Sequence, residues 1–170
     1  MSILSQLRML LLSAWLGSAI YFSAVVAPST FGVLRSFGLQ NSGEIAGTIV
    51  TRTLSVINTS GFLLSLLLLL TAFAVRRISQ RWSFALQLLL LSLVALTTAV
   101  GQWVIAARMR ALRLAMLGQI DRVPLSDPNR MAFASLHGYS VAALAIAMMA
   151  SLIVILLMLF TRKKEFKFAT

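Results

Sequence analysis

The chain has 170 residues, 59% of them hydrophobic and only 11% charged, with a mean hydropathy of +0.93. Such values exclude a water-soluble domain of ordinary make-up, in which about a quarter of the residues are charged. The net charge of +11 does not point to nucleic acid, because its 15 Lys and Arg gather at the ends of apolar runs rather than in a stripe interleaved with aromatic side chains, and the absence of cysteine excludes disulfides, thiolate metal sites and cysteine nucleophiles.

Four runs are long enough to cross a hydrocarbon layer of about 30 Å, which takes roughly 20 apolar residues at ~1.5 Å rise each. The expected fold is therefore all-α, an integral membrane bundle of four transmembrane helices forming a single domain over 1–170. The first run covers about 7–27 and stops at Pro28. Val25 and Ala27 stand where small residues precede a signal-peptide cut, but a proline after the cut and the length of the run favour a retained helix. A polar connection follows over 29–46, with Phe31, Leu34 and Phe37 at the spacing of a short interfacial helix.

The second run covers about 47–75 and begins with unusually polar residues, among them Thr48, Thr51, Arg52, Ser55 and Asn58. It ends in the basic turn Arg76 to Arg81. The third, about 82–107, finishes in "GQWVIAARMRALR" and is followed by a connection holding Pro124, Pro128, Asp121 and Asp127. The fourth, about 131–161, exceeds the length a bilayer requires and leads into a basic tail over 162–170.

Four spans place the N-terminus, the Arg76 to Arg81 turn and the tail on one side, with eight Lys and Arg packed at helix ends. The other side holds seven, of which Arg52 falls within a helix and Arg122 and Arg130 neighbour acids. This arrangement favours both termini in the cytoplasm and residence in the cell (inner) membrane. Small residues four apart in every span (Ser13 and Gly17; Gly61 and Ser65; Thr97 and Gly101; Ala143, Ala147 and Ser151) suit close helix packing, since lipid supplies no hydrophobic drive between helices. "LLLS" recurs at Leu10 to Ser13 and Leu89 to Ser92, a hint of two-plus-two duplication. Trp15, Trp82, Trp103, Tyr21 and Tyr139 read as packing residues or interfacial anchors.

The unusual polar residues fall at the non-cytoplasmic ends of the runs. His137, the only histidine, stands six residues into the fourth run, and Gln102 lies at a similar depth in the third. Asn58 and Arg52 are in the second run. Polar groups at such depth face the bundle interior or a water-filled cavity, because exposing each to acyl chains costs roughly 1 to 3 kcal/mol. His137, Ser140 and Val141 share a helix face with Phe133, and Thr98, Gln102 and Ile105 share another. The expectation is one polar pocket surrounded by His137, Gln102, Asn58, Arg52, Ser140 and the loop residue Glu44.

Two readings of His137 stay open, a ligand-binding or metal-binding residue and a brace hydrogen-bonded to a neighbouring helix. Copper would recruit thioether from Met109 or Met131. Two-histidine haem ligation within one chain is excluded by the count, and no cofactor is identified. No paired carboxylates, HExxH, GxSxG or phosphate loop is present, so no enzyme activity is expected.

Three stretches, "LLLSAWLGSAIYFSAVVAPSTFGVL", "LLLSLVALTTAVGQWVIAARMRALR" and "MAFASLHGYSVAALAI", resemble the transmembrane-protein-205-like family in matching order over nearly the whole chain. Its bacterial form is a four-helix domain of unknown function, remotely similar to copper resistance protein D. The resemblance rests on Trp15 and Gly17, Ala27, Pro28 and Phe31, Gly47, the region of Arg113, and His137. Family members often carry a proline after the third helix, where this chain has Ala106 and Ala107, so that helix is expected to run straight on through Arg108 and Arg110. The resemblance implies a fold and a locus of interest, not a reaction. Two functions compete: a membrane protein whose pocket takes a small ligand or ion, copper among them, and an accessory subunit packed in a homo-oligomer or larger membrane complex.

Overall fold

A computed structural model describes residues 3–39, 41–73, 81–116 and 120–167, apart from the side chains at 81, 121 and 161–167. Four long helices account for nearly all of it: α1 (Ile3–Ser36), α2 (Ser42–Ala72), α3 (Trp82–Ala115) and α4 (Pro128–Lys167). No strand occurs among the described residues. Spans of 31 to 34 residues reach roughly 46 to 51 Å at ~1.5 Å per residue, well beyond a ~30 Å hydrocarbon core. The excess falls where the sequence turns polar, at the end of the bundle opposite the termini, termed the distal end below.

The helices overrun the boundaries expected from hydropathy, and Pro28 shows why. A proline inside an α-helix loses a hydrogen bond and its ring meets the carbonyl one turn back. Here Phe22–Val26 forms a π turn, in which Ala27 N–H bonds the Phe22 carbonyl, and Pro28 sits in the first turn of the α-helix that resumes at Ala27. The widened turn leaves room for the ring, so α1 continues through Pro28 to Ser36. The expected interfacial helix over 29–46 is thus no separate element. Residues 29–36 are the end of α1, and α2 starts at Ser42. Between them Gly38, at φ 64°, takes the left-handed conformation that closes a helix and donates its N–H to the Arg35 carbonyl at 3.1 Å.

α3 runs on past Arg108 and Arg110 as expected but not straight, since Val100–Ile105 is a second π turn. One shift of 79 residues relates Leu10–Ser13 to Leu89–Ser92, the π-turn end Val26 to Ile105, and the helix end Ser36 to Ala115. The faint sequence echo therefore coincides with an echo in backbone geometry.

α1 and α3 occupy one diagonal of the bundle, and each packs on α2 and α4. The core between them consists of Leu12, Trp15, Leu16, Ala19 and Phe22 from α1, Ile57 and Leu68 from α2, Leu90, Leu91 and Val94 from α3, and Leu144, Ala147, Ala150 and Val154 from α4. Outward-facing positions are also apolar, Leu63, Leu70 and Leu89 among them, as a lipid-facing surface requires. The packing of small residues is selective. Gly61 lies directly under the Trp15 indole, whose Nε1–H donates to the Ile57 carbonyl at 3.0 Å, and Gly101 lies against Asn58. Ser13 and Gly17, by contrast, face outward, and nothing lies within 4 Å of a Cβ placed on Gly17.

Arg8, a cation near the start of α1, is buried at the end of the bundle near the termini. Its guanidinium donates to the carbonyls of Leu68 at 3.0 Å and Thr71 at 3.1 Å, in the last turn of α2. The last turn of a helix carries the negative end of its dipole, so a cation is favoured there. At the distal end Asp127 caps α4, its carboxylate accepting from Asn129 N–H at 2.8 Å and Arg130 N–H at 3.3 Å, with Pro128 as first helical residue.

A polar cleft at the distal end of three helices

The unusual polarity of early α2 is mostly absorbed within the helix. Thr48, Thr51 and Thr53 each donate to the carbonyl four residues back, at 2.8, 2.6 and 3.1 Å. Such back-bonding lets a hydroxyl enter a membrane helix without an orphaned donor. Ser55 and Asn58, which are not absorbed in this way, point to one place.

A cleft of about 70 Å³, room for several water-sized groups, lies between the distal halves of α2, α3 and α4. Its polar lining comprises Thr51, Ser55 and Asn58 from α2, Gln102, Arg110 and Arg113 from α3, and His137 and Ser140 from α4; Met109 and Phe133 also face it. No residue of α1 lines it. Beyond its π turn α1 packs mainly on α2, so the side opposite α3 receives no wall from that helix.

Asn58 marks the inner end. It is 4% exposed and forms no hydrogen bond with any described residue. Gly101 makes room for it, since a Cβ there would come within 3.1 Å of Asn58 Nδ2. Beside it, Gln102 Nε2 donates to Ser55 Oγ at 2.8 Å, while Gln102 Oε1 is buried without a partner. Assignment of an amide's oxygen and nitrogen follows the hydrogen-bond network, so the exchanged orientation, with Ser55 donating and Nε2 free, is equivalent in shape. In either case Gln102 presents one buried polar atom without a partner, a state that costs roughly 1 to 3 kcal/mol unless water or a ligand completes it, and Asn58 turns an unpartnered amide onto the same cleft.

The outer end is positive. Arg113 is held from three directions: Nη1 donates to Thr48 Oγ1 at 3.3 Å, Nε lies 4.0 Å from Glu44 Oε2, and the guanidinium carbon stands 5.8 Å from the Phe133 ring centroid. Gly47 leaves space for this side chain, because a Cβ there would meet Nη2 at 2.8 Å. Arg110, one turn earlier on α3, is exposed and has no partner among the described residues. Glu44 also accepts the Ile120 N–H at 2.6 Å, which fastens the α3–α4 connection to the first turn of α2.

Of the six residues singled out from the sequence, Asn58, Gln102, His137 and Ser140 line the cleft. His137 is at its open edge, exposed and without a hydrogen-bond partner among the described residues. Arg52 does not line it. Helical spacing carries Thr51, Ser55 and Asn58 onto the cleft and turns Arg52 about 100° away, to an exposed position. Glu44 is not in the wall either and acts through Arg113. Val141, expected to share the face of His137, is exposed outside the cleft. Arg110 and Arg113 were missed as lining residues, although they continue the stripe Gln102, Ala106, Met109 at three- and four-residue steps.

Met109 lines the cleft with His137, whereas Met131 does not. No group of three or more His, Cys, Asp or Glu that could hold a metal occurs among the described residues. A family model described as a domain of unknown function (DUF4149) matches residues 10–117, which takes in α1 to α3 and the cleft residues they supply, but not His137. No curated protein and no solved structure matches the chain.

Proposed function

The chain belongs to the DUF4149 family, and from that premise we propose that it is a non-enzymatic membrane protein that binds a small polar ligand in the distal cleft. One observation carries this reading: Asn58, buried and unpartnered, opens onto the same cavity as Gln102, His137, Arg110 and Arg113. The cleft has donors and acceptors for holding a ligand, and among the described side chains no carboxylate stands in its wall to orient His137 as a base. The distal end is read as non-cytoplasmic and the membrane as the cell (inner) membrane. Of the eight cations behind that orientation only Arg8 has a described side chain; Arg76, Arg77, Arg81, Arg162, Lys163, Lys164 and Lys167 lie outside the described side chains.

Copper, suggested by the resemblance to the transmembrane-protein-205-like family and copper resistance protein D, is supported by His137 and Met109 on one cavity and opposed by two guanidinium groups in the same wall. The test is a thermal-shift screen of the detergent-solubilised protein, purified without added metal, against small anions, neutral polar solutes and copper(II). A specific ligand at 100 times its Kd stabilises the folded state by about 2.7 kcal/mol. A shift in wild type that is lost in Asn58→Leu supports the reading, and no shift with any probe refutes it.

The accessory-subunit reading has its own support in the outward, unoccupied face of Ser13 and Gly17 on α1. Gly61 does not separate the two functions, because it serves the internal contact with Trp15. Gly17→Leu does: loss of co-purifying protein or of a homo-oligomer, with the monomer's stability intact, favours the subunit role.

A further inference from the structure

Resting on the reading that the distal cleft holds a ligand, we infer that this ligand is an oxyanion, a phosphate group either free in water or carried on a lipid headgroup. Charge gives the sign. Arg110 and Arg113 face the cavity, and no Asp or Glu with a described side chain is among its lining residues. Glu44 reaches only the Nε side of Arg113, and its other oxygen is occupied by the Ile120 amide. Donors outnumber acceptors, which is the lining an acceptor-rich anion requires.

Preorganisation separates Arg113 from an ordinary arginine at a membrane end. A flanking arginine extends freely to headgroups. Arg113 is instead held by Thr48, Glu44 and the Phe133 ring, in space that Gly47 leaves open. Asn58 supplies the second, independent sign: a side chain 96% removed from solvent, turned to the cavity, with both polar atoms unused by the protein. Arginines at the outer end and amides at the inner end suit a tetrahedral group, whose oxygens point in opposite directions, better than a planar carboxylate with both oxygens on one edge. A protonated phosphate oxygen would also satisfy Gln102 Oε1.

Both sources have a route. The distal end opens to water, and the missing α1 wall lets a lipid enter sideways at headgroup depth. The full chain is therefore titrated with inorganic phosphate in an uncharged detergent, and separately reconstituted with phosphatidylglycerol and examined for retained lipid by native mass spectrometry. Saturable one-to-one binding of either probe is expected, phosphate alone identifying a soluble oxyanion and phosphatidylglycerol alone a headgroup. Arg110→Gln, at an exposed and unpartnered position, should weaken binding by roughly tenfold or more, as loss of a charge-assisted hydrogen bond does. Arg35→Gln, exposed at the same end but outside the cleft, should leave it within about twofold, the change expected of a distant screened charge. Binding indifferent to Arg110→Gln overturns the inference. Asn58-dependent binding of copper(II) or a neutral solute, with neither phosphate probe bound, overturns the oxyanion while leaving the binding cleft standing, and no binding of any probe removes both.

Discussion

Replacing Gly61 with alanine should loosen the bundle at one identifiable contact. A Cβ at position 61 would lie 2.6 to 2.8 Å from three atoms of the Trp15 indole, and no carbon approaches that closely without displacement. The indole is rigid and buried, and its Nε1–H is fixed to the Ile57 carbonyl at 3.0 Å, one turn before Gly61 on the same helix. The added methyl must therefore push α1 from α2 or expel the ring. Overpacking costs about 1 to 3 kcal/mol, and losing the indole hydrogen bond adds roughly 0.5 to 1.5 kcal/mol. Together Gly61→Ala should cost roughly 2 to 4 kcal/mol in reversible unfolding in mixed micelles. Gly17→Ala, with open space at its Cβ, is the control and should change stability by no more than about 0.5 kcal/mol. Trp15→Leu introduced with Gly61→Ala removes the obstacle, so the pair should be less damaging than the sum by about 1 kcal/mol or more. Equal effects of alanine at 61 and 17, or strict additivity of the pair, would refute the contact.

Arg8→Met should destabilise the fold by roughly 2 to 3 kcal/mol in the same assay, because two terminal carbonyls of α2 lose a charged donor; a neutral outcome would mean that water replaces it. Asn58→Leu should be neutral or stabilising by up to about 1 kcal/mol in the absence of ligand, since it removes an unpaired buried amide, while abolishing ligand-induced shifts. Marked destabilisation would show that the amide is satisfied within the fold. Gly47→Ala should leave stability within about 1 kcal/mol, because its methyl meets only the flexible tip of Arg113, yet weaken binding by displacing that tip. Unchanged affinity would detach Arg113 from the site.

Hydropathy made the four spans legible, because only an apolar run of sufficient length crosses lipid. Their ends were not, because Pro28 reads as a stop signal in any window that assumes α geometry, and a π turn leaves no composition mark. Four of the lining residues, Asn58, Gln102, His137 and Ser140, were readable from depth and helical spacing. The same spacing rule, applied from Thr51 to Ser55 and Asn58, would have set Arg52 aside, and from Gln102 onward it would have brought in Arg110 and Arg113. What hid those two is that arginines near a span's end have a ready explanation in lipid headgroups. Arg8 was hidden for the same reason, although in the folded chain it turns inward to the end of α2.

A π turn fits five residues where an α-helix fits about four, so α1 and α3 each carry one residue more than their path needs. Deleting a single residue within Val100–Ile105 would restore plain α geometry and leave Arg110 and Arg113 facing as they do now. The same deletion in the α-helical stretch before it would swing everything beyond by about 100°. The distal halves of α1 and α3 are thus each connected to their membrane halves through a built-in allowance of one residue. Loss of one residue at the joint in α3 would leave the cleft intact, where the same loss in the α-helical stretch before it would dismantle it.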